Sequence, residues 1–126
     1  MTRQELIRKI HQRREEVGIT LENLAKLSGL GIRTLNRLFA GEDVKFSTIE
    51  KVTNFLGLDF SGHEVMSLEE LKNHRAYQKA LFMVSLVQST SALEKQGLDK
   101  SVLDDMIEEF QVAFLEGAYR KNLWVA

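Results

Sequence analysis

The chain contains no cysteine and no proline. Without cysteine there is no disulfide framework, no thiolate nucleophile and no cysteine metal site. Long apolar runs are also missing. The longest, Ala80 to Val84, is far too short to span a bilayer, so no membrane partner is expected. The N-terminal stretch MTRQELIRKIHQRREE is charged and lacks the apolar core of a signal peptide, which leads to the expectation of a cytoplasmic protein. Histidine is scarce. His11, His63 and His74 form no HExxH or His-x-x-x-His arrangement, and the adjacent pair His63-Glu64 reads as solvated, so no metal site is expected. Neither GxxxxGK[ST] nor GxGxxG occurs, so nothing supports nucleotide binding and no cofactor is expected. The pairs Asp104-Asp105 and Glu108-Glu109 fall on the polar face of a helical pattern, which makes them surface charge rather than a catalytic dyad. An enzyme, with catalytic residues, is the least supported class.

What remains is an ordinary globular composition, 44% hydrophobic and 28% charged, in 126 residues. That length suits one compact domain or two small helical units. The absence of proline and three boxes of the form Ser/Thr-x-x-Glu point to helices throughout: Thr2 with Glu5, Ser47 with Glu50, Ser67 with Glu70. In each box the hydroxyl caps a helix start and the Glu reaches back to the cap. The first predicts a helix from about Arg3 to Val17, with Leu6, Ile10 and Val17 inward and Gly18 at its end. The second predicts a helix opening at Ser47 and running through Ile49, Val52, Phe55 and Leu56 to Gly57.

Between these lies Thr20 to Gly41, TLENLAKLSGLGIRTLNRLFAG. Thr20 is placed to cap one short helix through the N–H groups of Glu22 or Asn23. Leu21, Leu24, Ala25 and Leu27 form its apolar stripe, and Gly29 supplies the positive φ that stops it. A second helix, Ile32 to Ala40, turns Leu35 and Leu38 inward. Two helices this short and this close must cross steeply, as in a helix-turn-helix that frees the second helix to enter a DNA major groove. The outward residues of that second helix are Arg33, Thr34, Asn36, Arg37 and Ala40, with Ile32 at its tip. Arginine reads guanine edges or clamps phosphate, and asparagine pairs with adenine. Ile32, Arg33, Asn36 and Arg37 are therefore expected to read bases in double-stranded DNA. Arg13, Arg14, Thr20 and Thr34 are expected to contact phosphate.

The charge distribution agrees. The net charge is only −1, but residues 1–40 carry eight Lys/Arg against four Glu, whereas residues 61–126 carry seven basic against ten acidic residues. The positive surplus sits with the motif that would meet phosphate.

At this point the chain resembles a known family. The pattern Leu24-Ala25, Gly29, Thr34-Leu35-x-Arg37-Leu38, Gly41, Ser47-Thr48-Ile49 and Leu56-Gly57 is similar to that of the XRE family of bacterial and phage regulators, which share a lambda-repressor-like DNA-binding domain. Where docking follows that of the family, Lys45 is expected to contact phosphate as well. The resemblance spans about residues 4–60. It departs at two positions: the family often has Gln where this chain has Leu21, and usually Glu where it has Phe39.

Residues 61–67 read as a linker between a DNA-binding domain, 1–60, and a helical hairpin, 68–126. The first arm of that hairpin runs from Leu68 to about Lys95, with a possible break at Ser89-Thr90-Ser91 and an end at Gln96-Gly97. The second runs from about Ser101 to Asn122, with Leu103, Met106, Ile107, Phe110, Phe114, Gly117 and Ala118 as its stripe. Both arms carry more apolar surface than one contact uses: Ala80 to Val84 with Leu86 and Val87 on the first, and Val112, Leu115 and Tyr119 on the second. A helix apolar on all sides is buried on all sides. Phe82, Leu86, Val112, Leu115 and Tyr119 are thus expected at an interface, with a second copy as the leading partner. The expected architecture is all-α, a lambda-repressor-like helix-turn-helix domain followed by a C-terminal helical hairpin. The expected function is sequence-specific DNA binding, as a homodimeric transcriptional repressor on a near-palindromic operator. The alternative is a DNA-binding antitoxin whose hairpin covers a toxin protein, a role that proteins resembling this family often have.

Overall fold

The computed structural model describes residues 2–93 and 99–126, with side chains described outside 90–98. The described residues are helical: α1 (Arg3–Val17), α2 (Leu21–Ser28), α3 (Ile32–Phe39), α4 (Phe46–Phe55), α5 (Leu68–Leu93), α6 (Lys100–Leu115) and a short 3-10 turn, Arg120–Asn122. They fall into two compact units, one ending at Leu71 and the other Lys72–Val125. Among the described residues no helix is long and apolar enough to cross a membrane.

In the first unit the local signals act as the sequence predicts. The Thr2 hydroxyl accepts from the Glu5 N–H to start α1, and the Thr20 hydroxyl accepts from the Asn23 N–H to start α2. Gly29 ends α2 in the left-handed region. The α3 helix packs on both α1 and α2, and α4 packs on α2. Ile10, Ile19, Leu24, Leu35, Leu38, Val52 and Leu56 are fully buried between them. Each such aliphatic side chain contributes about 1.5–3 kcal/mol by leaving water, which is what fixes helices too short to persist alone.

The start of α4 differs from expectation. Ser47 is not its cap: the helix opens at Phe46, with Lys45 at the cap position and no side-chain cap. The Lys45 carbonyl already accepts from the Thr48 and Ile49 N–H groups, which draws the first turn one residue upstream of the box.

The stretch 61–67, read from the sequence as a linker, is packed structure belonging to the first unit. Leu58 and Glu64 form an isolated antiparallel bridge. The Val65 and Met66 N–H groups both donate to the Gly57 carbonyl. Gly57 has φ 72°, and a Cβ there would sit 3.1 Å from both Arg13 Nη2 and Met66 Cβ. Only glycine suits that position. At Ser67 the capping half of the box forms, the Glu70 N–H donating to Ser67 Oγ, while the Glu70 carboxylate accepts from that hydroxyl.

In the second unit, α5 continues as helix through Ser89-Thr90-Ser91 without a break. The expected end at Gln96-Gly97 lies outside the described residues. Ala76, Ala80 and Val84, spaced four apart, form its buried edge, together with Phe114, Leu123 and Trp124. Asp99 caps α6 by accepting from the Val102 N–H. The sequence predicts that arm as far as Asn122, but α6 stops at Leu115. The chain folds back at Gly117, where a Cβ would lie 2.9 Å from the Ala113 Cα, and the Tyr119 N–H closes the turn on the Ala113 carbonyl. Gly117 and Ala118 are therefore exposed turn residues rather than part of a stripe. Tyr119 stacks at a tilt on Phe114, ring centroids 5.4 Å apart. The tail beyond is held by Arg75, whose Nε donates to the Leu123 carbonyl at 2.9 Å and Nη2 to that of Val125 at 3.0 Å. Burial lowers the pKa of Arg75, and burial followed by the nearby Arg75 charge lowers that of Lys79.

Candidate nucleic-acid interface

The α3 helix is strongly two-sided. Leu35 and Leu38 are wholly buried, while Ile32, Arg33, Asn36, Arg37 and Ala40 are exposed and Thr34 is half-buried. The two leucines, three positions apart, lie against the core, so the residues between and around them point outward. Among the described residues Arg33 and Asn36 have no side-chain hydrogen-bond or ion-pair partner, so their donors and acceptors are available to a ligand. Arg37 is different. Its Nη2 donates to the Asp43 carbonyl at 3.2 Å, which bends the guanidinium toward the loop between α3 and α4. The same Asp43 receives Arg3 from α1 through its carboxylate.

Beside α3 lies an open cleft of about 610 Å³, lined by Leu30, Thr34, Arg37, Asp43, Val44, Lys45, Ser47, Thr48 and Lys51. It brings together Thr34 and Lys45, expected at phosphate, with Arg37, expected at a base. It also adds Ser47 and Lys51, which the sequence reading does not single out. Their spacing of four along α4 is the signal that would have found them, since it places the hydroxyl and the ammonium on one helix face. Three cations and three hydroxyls against the single carboxylate of Asp43 suit an anionic backbone, which takes ion pairs and hydroxyl donors alike.

The remaining expected phosphate contacts separate into three cases. Thr20 is exposed; its oxygen accepts the helix-capping bond, and its hydroxyl proton is left to donate. Arg14 is half-buried, donating through Nη1 to the Ile19 carbonyl at 2.9 Å, with its Nε buried and unpartnered. Arg13 is a correction. Its side chain is only 4% exposed, and its Nε donates to the Leu56 carbonyl at 2.8 Å, Nη1 to Glu64 at 3.1 Å and Nη2 to the Met66 carbonyl. A guanidinium this buried, and bonded to three internal acceptors, is not presented to a phosphate. Arg13 instead ties α1 to the end of α4 and to the turn before α5.

Phe39 stands where the resembled family usually has Glu. The His11 ring meets its edge at a centroid distance of 5.5 Å, and the Arg14 guanidinium lies over its face. The contact between α1 and α3 at this point is thus aromatic.

The family model described as helix-turn-helix matches residues 10–62. No curated protein and no solved structure matches the chain.

Proposed function

We propose that the chain, whose residues 10–62 match the helix-turn-helix family model, is a DNA-binding transcriptional regulator of the XRE type and acts as a homodimeric cytoplasmic repressor on a near-palindromic operator. The observation that carries the base-reading part is the outward face of α3, where Arg33 and Asn36 stand exposed and unengaged above two fully buried leucines. In this reading Ile32, Arg33 and Asn36 enter the major groove. Arg37 stands between base edge and backbone. Thr20, Thr34 and Lys45, joined by Ser47 and Lys51, hold the phosphates, and Arg14 backs the head from α1. Phosphate contacts set register while base contacts set sequence, so the two groups have different mutational signatures.

The dimer is supported by apolar surface that the single chain leaves in water, Phe82 and Leu86 on α5 above all; of the other residues expected at an interface, Val112 and Tyr119 are exposed and Leu115 is half-buried. Joining two heads converts two weak half-site contacts into one strong one.

A gel-shift assay on the selected operator tests the base-reading assignment. Arg33→Ala and Asn36→Ala are each expected to weaken binding by ~1–3 kcal/mol and to relax preference at one position. Unchanged affinity in both variants removes α3 as the reading helix. Sedimentation tests the rest: a chain that is monomeric at micromolar concentration removes the homodimer and moves weight to an antitoxin that needs its toxin.

A further inference from the structure

From Ala80 to Leu93 the sequence has no charged side chain and no histidine, fourteen residues of one helix. Along the outer face of α5, Tyr77, Leu81, Phe82 and Leu86 are 44%, 41%, 61% and 51% exposed. Leu81, Phe82 and Leu86 lie on the side of the helix opposite Ala76, Ala80 and Val84, while Tyr77, seven residues before Val84, stands at the edge of that face. Ser85 stands in their midst. Its hydroxyl donates to the Phe82 carbonyl at 2.6 Å, so covering it would strand no donor. A small residue at the centre of a larger apolar ring lets another helix approach closely. The basic groups of α5 just before this stretch have partners within the unit: Arg75 holds the tail carbonyls, Lys79 lies over the Phe114 ring at 5.8 Å, and the exposed His74 meets Gln78 at 3.3 Å.

The apolar surface of α6 has another character. Val112 is 56% exposed, but Asp105, Glu108, Glu109 and Glu116, at seven, four and three residues before it and four after, surround it on the same face. Two copies meeting there across a two-fold axis would oppose like charges.

We propose that the joint of the dimer is the charge-free outer face of α5, packed on the same face of a second copy around Ser85, with α6 outside it. This rests on the homodimer reading above and says which surface makes it. The occupant follows from self-complementarity. An isologous contact presents the same patch from both sides, so it admits no net charge of either sign. Serine and glutamine both donate and accept, and so pair with their own copies; Gln78, Ser85 and Ser89 are polar residues of this face. A charged partner would find nothing here to recognise.

The absence of native cysteine makes the test clean. Wild-type full chain is first sedimented, then Phe82→Asp and Val112→Asp, with helicity followed by circular dichroism. Phe82→Asp is expected to raise the dimer dissociation constant by roughly 100-fold or more, the scale of losing a central interface residue, while Val112→Asp stays dimeric. Under mild oxidation Ser85→Cys is expected to form a covalent dimer and Val112→Cys is not, because a disulfide needs Cα atoms within about 7 Å. A dimeric wild type whose Phe82→Asp variant also stays dimeric, or one that crosslinks through Val112→Cys and not Ser85→Cys, overturns this joint while leaving the homodimer standing. A monomeric wild type overturns both.

Discussion

The Arg14 guanidinium carbon lies 5.9 Å from the centroid of the Phe39 ring, joining α1 to α3 by a cation–π contact. An acidic residue at 39 would pair with Arg14 by charge, whereas the ring meets it by its face and meets His11 by its edge. A half-buried cation–π contact contributes about 0.5–2 kcal/mol. Arg14→Ala and Phe39→Ala, combined in a double-mutant cycle of urea unfolding, are expected to show a coupling of about 0.5–1 kcal/mol. Raising salt should reduce that coupling less than it would an exposed ion pair. Additive single effects would remove the contact from the account of stability.

Arg13 and Lys45 should part company in DNA binding. Removing Arg13 strands the Leu56 and Met66 carbonyls, each having lost a bond to a charged donor worth about 1.5 kcal/mol or more. Arg13→Ala should therefore destabilise the first unit by about 3 kcal/mol, read as a lower urea midpoint. At temperatures where that variant remains folded, the slope of log affinity against log salt should match wild type. Lys45→Ala should do the reverse, leaving the midpoint in place and flattening the slope by about one unit.

Lys51 is expected to behave like Lys45. It lines the same cleft beside Thr34, Arg37 and Ser47. Lys51→Ala should lower affinity for operator and unrelated duplex by a similar factor, again with a slope reduced by about one. A loss confined to the operator would place Lys51 among the base-reading residues instead.

Asp59 gives the first unit a dependence on acid. Its carboxylate accepts from the Ser61 hydroxyl at 2.7 Å and from the His63 and Ser61 N–H groups at 2.9 Å. The hydroxyl first, then the His63 N–H, hold its pKa below the ordinary 3.8. A depressed folded-state value means stability that is fully present above pH 3.8 and is lost as pH falls through the lower folded value. Thermal melts should show the midpoint dropping through that window. Asp59→Asn should lose part of that drop, with a lower midpoint at neutral pH.

The helix-turn-helix was legible because its determinants are local. Thr20 lies three residues from the N–H it caps, and Leu35 and Leu38 announce the buried side of α3 by spacing alone. The role of Arg13 was not legible, because its partners are backbone carbonyls 43 and 53 residues away. A carbonyl carries no residue signature, so a buried arginine and a phosphate-binding one look alike in a basic helix. The end of α6 was hidden for a related reason. Gly117 continues an apolar spacing, and only the fold shows that its missing Cβ admits the returning chain. The cleft residues Ser47 and Lys51 were obscured by an expected capping box, which assigned Ser47 to the helix end. The outward residues of α3 were readable as a face, while their contacts with base and phosphate await the duplex.

The placement of Trp124 divides the molecule optically. It is the single tryptophan of the chain, and both tyrosines, Tyr77 and Tyr119, share its unit, Lys72–Val125. Intrinsic fluorescence excited near 295 nm therefore reports on that unit alone, and near-ultraviolet dichroism sees the first unit only through phenylalanine. With Trp124 buried in the tail that Arg75 holds, emission follows the unfolding of that unit while the far-ultraviolet signal follows the helices of both, from an unlabelled protein. Any change in emission on adding duplex would be a direct reading of communication from one unit to the other.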